Sequence, residues 1–428
     1  MIVPLQPRGL GLWGRVFCLW ALLCVADGPL AAVELWSSAD GGRYYALDTA
    51  LKWTSLLARA PADRALFPQR WSAASLWRWR QSAGGQVHEK LNVHVAYEQR
   101  ARSLSEGVGD GGGEGILLAE GQAPYRLASL EGELVAVGAS FAYRHELDRL
   151  QAAYRLGRGE LIVGRQAVGW GRGVLFSAVD LFAPFTPLES DREWRRGVDA
   201  IRLRLPLGDL HSLDGVAALS ETVGTSAFLA RLQGYWGALD GEMILGWRRR
   251  DWLTAVALSA PLGLAEVHTE AAFFVLPEAL PNGRRQAVQA VLGGSYHWDR
   301  WGGLLFVGEY HYAGFALPDR ELAVQWLADS SYAKRLQMGD VVVEGRHAGA
   351  LQISWGLGYA APLSFAWVFS PRDASGVGTL SLSWLFSDNL TLAASAYTPY
   401  GKEPRAGELR SEYGGTPSSA LVQISFYY

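Results

Sequence analysis

Arginine, glutamate and histidine recur in this sequence at every second position, between apolar neighbours. That spacing puts them on one face of an extended strand. Arg202 and Arg204 alternate with Ile201, Leu203 and Leu205, and Glu266, His268 and Glu270 alternate with Val267, Thr269 and Ala271. All but four of the 39 basic residues (Lys52, Lys90, Lys334 and Lys402) are arginines. Their planar guanidinium groups suit two-point contacts with carboxylates, phosphates or acidic sugars, although a GC-rich coding sequence would give the same bias. Covalent chemistry is poorly provided for. No Gly-x-Ser-x-Gly or His-Glu-x-x-His pattern occurs, and both cysteines, Cys18 and Cys24, lie close to the N-terminus. The expectation is a chain with no cofactor and no metal that is not an enzyme.

The chain has 428 residues, a net charge of −3 and 19% charged residues, below the roughly 25% of ordinary soluble domains. Aromatics reach 12%, with 18 Trp and 50 Gly. Such a composition excludes an electrostatic nucleic-acid binder and a disordered chain. The N-terminus carries Arg8 and Arg15, an apolar run from Val16 to Val25, and then Ala31 and Ala32. That order reads as a cleaved secretory signal over 1–32, too short to span a bilayer as a helix. Residues 33–428 then form one domain with no cysteine.

Period-two alternation predicts strands near 43–58, 70–80, 87–100, 147–157, 160–168, 197–205, 213–221, 226–236 and 241–250. The second half adds 251–261, 265–276, 287–298, 301–312, 347–359, 362–371, 376–387, 389–400 and 418–428. Segments of about ten residues with one apolar and one polar face suit a transmembrane β-barrel, and in lipid such a sheet must close. The predicted fold is therefore an all-β antiparallel barrel of eighteen strands. Connection lengths agree: the tight links Gly157-Arg158-Gly159, 237–240, 298–301, Ala360-Ala361 and Asp388 fall at one end, and the long insertions 101–146, 169–196, 313–346 and 401–417 all fall at the other. Trp77, Trp79, Trp236, Trp247, Trp298 and Trp301 are expected at the membrane interfaces.

The ending Leu421-Val422-Gln423-Ile424-Ser425-Phe426-Tyr427-Tyr428 resembles the aromatic-terminated last strand of Gram-negative outer-membrane barrels. That resemblance implies recognition by the barrel assembly machinery. The hairpin from Glu146-Leu147-Asp148-Arg149-Leu150 through Leu161-Ile162-Val163-Gly164-Arg165-Gln166 is similar to one in alginate-export-like and related porin-like families. The match covers about a twentieth of the chain and implies a porin-like class, with no substrate.

Facing the lumen, by the same alternation, are Arg78, Arg80, Arg149, Arg155, Arg202, Arg204, Arg231, Arg248 and Arg250. So are Glu98, Glu242, Glu266, Glu270 and Glu309, with His94, His268 and His311. Arginines dominate the early strands and glutamates the later ones, which predicts a cationic wall partly facing an anionic one. The plainer alternative is that these charges pair across neighbouring strands. The loop 169–196, with Arg172, Asp180, Asp191, Arg192, Arg195 and Arg196, is a candidate constriction. The glycine-rich 107–115 lacks the Lys-Ser/Thr ending of a phosphate loop. The function expected is a passive outer-membrane channel for small polar solutes, biased toward anions. Export of an acidic exopolysaccharide, a sheath for a partner complex, and a lipid-modifying enzyme are the alternatives, in that order. Outer-membrane lipid and lipopolysaccharide are the expected surroundings, a homo-oligomer or a periplasmic partner is the further expectation, and nucleic acid is not a partner.

Overall fold

The computed structural model describes residues 33–38, 43–105, 125–138, 140–318, 322–337, 339–358 and 360–428. The signal at 1–32, its two cysteines and the glycine-rich 107–115 lie outside them. In chain order the strands are β1 (Val33–Ser37), β2 (Tyr44–Arg59), β3 (Trp71–His88), β4 (Leu91–Leu104), β5 (Glu131–Val137), β6 (Phe141–Leu156) and β7 (Gly159–Gln166). Then come β8 (Val198–Leu207), β9 (His211–Ala218), β10 (Ala227–Trp236), β11 (Leu239–Arg248), β12 (Asp251–Leu262), β13 (Ala265–Val275) and β14 (Gln286–Trp298). The last are β15 (Leu304–Ala313), β16 (His347–Leu357), β17 (Ala361–Ser370), β18 (Ser375–Ser387), β19 (Leu390–Tyr400) and β20 (Ser418–Tyr427). Two short helices, α1 (Ala323–Ala328) and α2 (Ser330–Gln337), sit between β15 and β16. No helix among the described residues is long and apolar enough to cross a membrane, so crossing falls to the strands.

Eighteen strands make a closed antiparallel barrel. The seam is β2 against β20, from Ala50 opposite Tyr427 to Arg59 opposite Ser418. Tyr428 extends it by exchanging backbone hydrogen bonds with Thr49 (2.7 Å each). The two further strands cover edges that the barrel leaves open. β1 pairs with Tyr44–Leu47 of β2, below the point where β20 ends. β5 pairs with the loop-end part of β6, on the edge that β7 occupies lower down. Unpaired strand edges expose peptide groups, and both additions shorten them.

The predicted parity holds: 89–90, 157–158, 237–238 and 263–264 are tight turns at one end, while the long loops share the other. Some boundaries move. β3 and β4 meet at 89–90, so the predicted gap at 81–86 is strand and Trp77 and Trp79 lie inside β3 rather than at its end. The region 101–146 is not all loop, because β4 runs to Leu104 and β5 lies within it. Outward side chains such as Leu245, Met243 and Val256 are exposed, as a lipid-facing band requires.

The lumen is not lined only by polar groups. Inward positions toward the loop end of β8–β14 are apolar, among them Ala200, Val216, Leu229, Ile244, Leu253, Phe274 and Val291. They pack against Val168, Trp170, Phe176, Val179 and Phe182 from the loop between β7 and β8, so here the barrel encloses a dry core. Alternation alone cannot mark such positions, because both faces of the strand are apolar.

The two faces make opposite demands on a charge. Met243→Arg, on the lipid face of β11, should cost about 2–4 kcal/mol in reversible unfolding from lipid vesicles. Ser383→Arg, on the lumen face of β18, should cost far less in the same measurement.

Candidate pore constriction

The loop between β7 and β8 enters the lumen and brings peptide N–H groups that no strand can pair. Two buried carboxylates on the far wall take them up. Glu270 of β13 accepts from the amides of Arg172, Gly173 (2.8 Å), Ala178 (2.7 Å) and Val179 (3.3 Å), and from the Ser177 hydroxyl (2.9 Å). Glu309 of β15 accepts from the amides of Val174, Leu175 (2.9 Å) and Phe176 (2.7 Å) and contacts His268 Nε2 at 3.0 Å. Hydrogen bonds to an ionised acceptor are roughly twice as strong as neutral ones. The tight wrap depends on glycine: Gly171 has φ +110°, and a Cβ at Gly173 would lie 1.7 Å from the Phe176 carbonyl oxygen. Phe176 then stacks on the buried His311 ring, centroids 5.1 Å apart.

The remaining lumenal charges pair locally. Arg202 is bound by two nitrogens to Asp214, Arg231 bridges Asp214 (3.0 Å) and Glu242 (3.2 Å), and Glu242 also meets Arg172 at 3.3 Å. Arg80 contacts Glu98 (3.1 Å) and Asp148 (2.8 Å); Arg78 contacts Glu98 (3.3 Å); Arg149 meets Asp148 at 2.6 Å. Glu266 accepts from Ser295 at 3.3 Å. Arg204 is exposed near the turn end, 3.4 Å from Glu160, and Arg155 is exposed opposite the same glutamate. The expected cationic and anionic walls therefore do not face each other as open fields. A buried charge without a partner is costly, and neighbouring strands supply the partner. Arg250 is not inward either: it sits in the β11–β12 turn and is exposed.

At its other end the loop crosses to β2, β3 and β20. Asp191 accepts from Lys52 (2.9 and 3.0 Å) and Arg78 (3.1 Å), Lys52 lies 4.1 Å from the Trp194 ring centroid, and Glu193 accepts from the Tyr427 hydroxyl at 2.7 Å. Burial pushes the Asp191 carboxyl up, but the charges of Arg78 and Lys52 outweigh it and hold it below its ordinary value. Asp180 is the opposite case: burial wins over its Arg195 partner and the carboxyl is pushed up to about 6. Arg195 also donates to the Ala183 carbonyl at 2.6 Å. Two loop arginines have no carboxylate in ion-pair contact among the described residues. Arg192 donates only to the carbonyls of Val174 (3.1 Å), Thr186 (3.0 Å) and Pro187 (2.7 Å), and Arg196 is half-buried. Burial, foremost, lowers the pKa of both.

The wall that ends in β20, which this segment touches, is without charge. The five consecutive strands β16–β20 contain no Asp, Glu, Lys or Arg. Their inward Gln352, Ser354, Ser364, Ser381, Ser395 and Gln423 remain half-buried, whereas Glu270 and Glu309 on the opposite wall are covered. Sequence reasoning placed the loop residues together but missed Lys52, Asp148, Asp214, Trp194 and Asp340. Asp214 and Asp148 lie at inward positions of β9 and β6, so alternation was a usable signal for them.

No protein-family model matches any part of the chain, the alginate-export-like hairpin included, and no curated protein sequence matches it. Solved structures match over nearly the whole length. Acinetobacter baumannii OccAB4 superposes with a TM-score of 0.53 at 11% identity, covering 90% of this chain and 98% of its own. OccAB1 of the same organism gives 0.53 at 9%, covering 94% and 99%. Pseudomonas aeruginosa OccK11 (OpdR) gives 0.50 at 11%, covering 90% and 95%. The fold is that of outer-membrane porin barrels.

Glu270→Ala should leave several buried amides unpaired and loosen the loop by about 3–5 kcal/mol. Amide exchange over 172–179 should accelerate strongly while strand amides stay protected. A second outcome concerns pH. Because the Asp180 pKa is raised in the fold, its protonated form stabilises the packing below its ordinary value of 3.8, and that contribution is lost as pH rises to about 6. Protection of 180–183, corrected for intrinsic exchange, should fall across that window and stay flat in Asp180→Asn.

Proposed function

We propose that this chain is a passive outer-membrane channel whose inserted loop narrows the lumen and biases passage toward small anions. The observation that carries the reading is the pairing of opposites around the inserted segment. Arg192 and Arg196 have no carboxylate in ion-pair contact among the described residues, though Glu189 acts on both, and the strands β16–β20 carry no Asp, Glu, Lys or Arg. A solute passing between them meets hydroxyl and amide groups along one side and net positive charge along the other. Small hydroxyl side chains exchange hydrogen bonds with water and solute without holding either tightly, which suits passage rather than storage. The fold likeness to porin barrels agrees with this use of the lumen. Location in the outer membrane, with the long loops outside, is part of the same proposal.

Selectivity then belongs to the loop and not to the wall arginines, whose charge is cancelled by neighbours. The refolded protein in a planar bilayer, under a KCl gradient, should give stepwise openings with an anion-favouring reversal potential. A charge a few ångström from the path in a water-like medium contributes about 1 kcal/mol, or roughly fivefold in relative permeability. Arg192→Ala with Arg196→Ala removes two such charges and should lower the anion preference roughly thirtyfold, and Arg202→Ala should leave it unchanged. A folded barrel that never opens would defeat the channel reading, and an unchanged reversal potential in the double variant would defeat the role of the loop.

A further inference from the structure

The hairpin between β11 and β12 turns through only two residues, Arg249 and Arg250, and both have positive φ (53° and 70°). Two-residue turns of this shape favour Asn-Gly, because a side chain at positive φ is strained. Here the chain carries two arginines instead. The Arg250 guanidinium lies over Gly224 of the neighbouring turn, where an added Cβ would come within 2.8 Å of its Nε. Together with Lys334 and Arg335 of α2 these arginines line an open cavity of about 250 Å3 at the loop end of the barrel. A water's share of liquid volume is about 30 Å3, so a hydrated phosphate group fits.

The acids that line the cavity are mostly engaged. Asp340 meets Arg248 (2.6 Å), Arg249 (3.3 Å) and Arg335 (3.2 Å), and Asp251 meets Arg335 (2.8 Å). Glu278 stands exposed at the rim. Arg250 and Lys334 have no ion pair among the described residues, and both are exposed. The height of the turn relative to the bilayer is given by its flanks. Trp247 and Trp252 are cross-strand partners immediately below it, both outward and exposed at 58% and 39%. Outward tryptophans at a strand end lie at headgroup level.

We propose that Arg250 and Lys334, with Arg249 and Arg335 behind them, form a binding site for a phosphate of an outer-leaflet lipid headgroup, of the kind carried by lipid A. The site rests on the outer-membrane reading above. Arg250 offers two parallel donors and Lys334 a point charge, a pairing that fits a phosphate monoester. Asp340 holds Arg249 and Arg335 in place, so the two unpaired cations stand on an ordered base.

The test uses the full barrel in detergent with added lipid A, followed by native mass spectrometry. Wild type should retain lipid A, and it should lose most of that retention when the lipid is enzymatically dephosphorylated. Removing both cations with Arg250→Ala and Lys334→Ala should weaken retention roughly thirtyfold, taking each cation near a lipid surface at its usual strength. The charge-preserving pair Arg250→Lys and Lys334→Arg should recover most of it. Millimolar inorganic phosphate should compete weakly, since it lacks the acyl chains that meet Trp247 and Trp252. Equal retention by the double alanine variant, or equal retention of dephosphorylated lipid, would overturn the site. Displacement of lipid A by inorganic phosphate at micromolar concentration would overturn the lipid as its source. The double alanine variant should still migrate as a heat-modifiable barrel and keep wild-type conductance, so loss of this site is distinguishable from failure of the channel reading.

Discussion

A loop that enters a barrel carries peptide N–H groups out of water, and in this barrel Glu270 and Glu309 take up those of 172–179. The arrangement resembles an anion cradled by backbone amides, turned inside out: the strand supplies the anion and the loop supplies the cradle. Once the loop is held there, its apolar side chains meet β8–β14, and the inward face of those strands can be alanine, valine and leucine. The dry core, the placement of the arginines and the open side of the lumen all follow from that attachment. Without it, an apolar inner wall would face water, which a barrel interior does not tolerate well.

The ionic network follows the same economy. Taking arginine and carboxylate from water is costly unless geometry and hydrogen bonds compensate. The pairs Arg202–Asp214 and Arg80–Asp148 join adjacent or nearly adjacent strands, so their partners are brought within reach by the β ladder itself. Such pairs fill the interior and fix register, and they contribute little net field along the axis. Charge that can act on a passing solute must sit where a partner is out of reach. On the inserted loop, Arg192 and Arg196 have no carboxylate in ion-pair contact among the described residues, though the charge of Glu189 acts on both.

Much of the architecture was legible from alternation and connection length. The strands at 265–276 and 418–428, for example, are bounded within a residue or two of β13 and β20. The parity of long and short links gave the even count, because an extra strand would have exchanged the two ends. What alternation could not show was pairing between distant segments. Nothing near Glu270 in the chain marks it as the acceptor for residues almost a hundred positions earlier. Arg202 looked like open cationic wall because its partner, Asp214, lies on the next strand across a turn. Extending the β11 alternation two residues past the strand points Arg250 inward, but the left-handed turn breaks the period there.

The lumen is thus divided by chemistry as well as by geometry. The strands β8–β15 use many inward positions to hold the loop, while β16–β20 carry no Asp, Glu, Lys or Arg and meet it through the Tyr427 hydroxyl on Glu193. A barrel wall is constrained at every second residue by lipid and at every residue by its ladder, which leaves few positions free to adjust what passes. The returning limb of the loop, Thr186 to Arg196, belongs to no strand ladder and is held at Asp191 by Lys52 and Arg78, at Glu193 by Tyr427 and at Arg195 by Asp180. Changes there alter the charge presented to the charge-free wall without disturbing a strand pair. A barrel with an anchored insert keeps the pairing of the sheet and the charges of the loop in different residues.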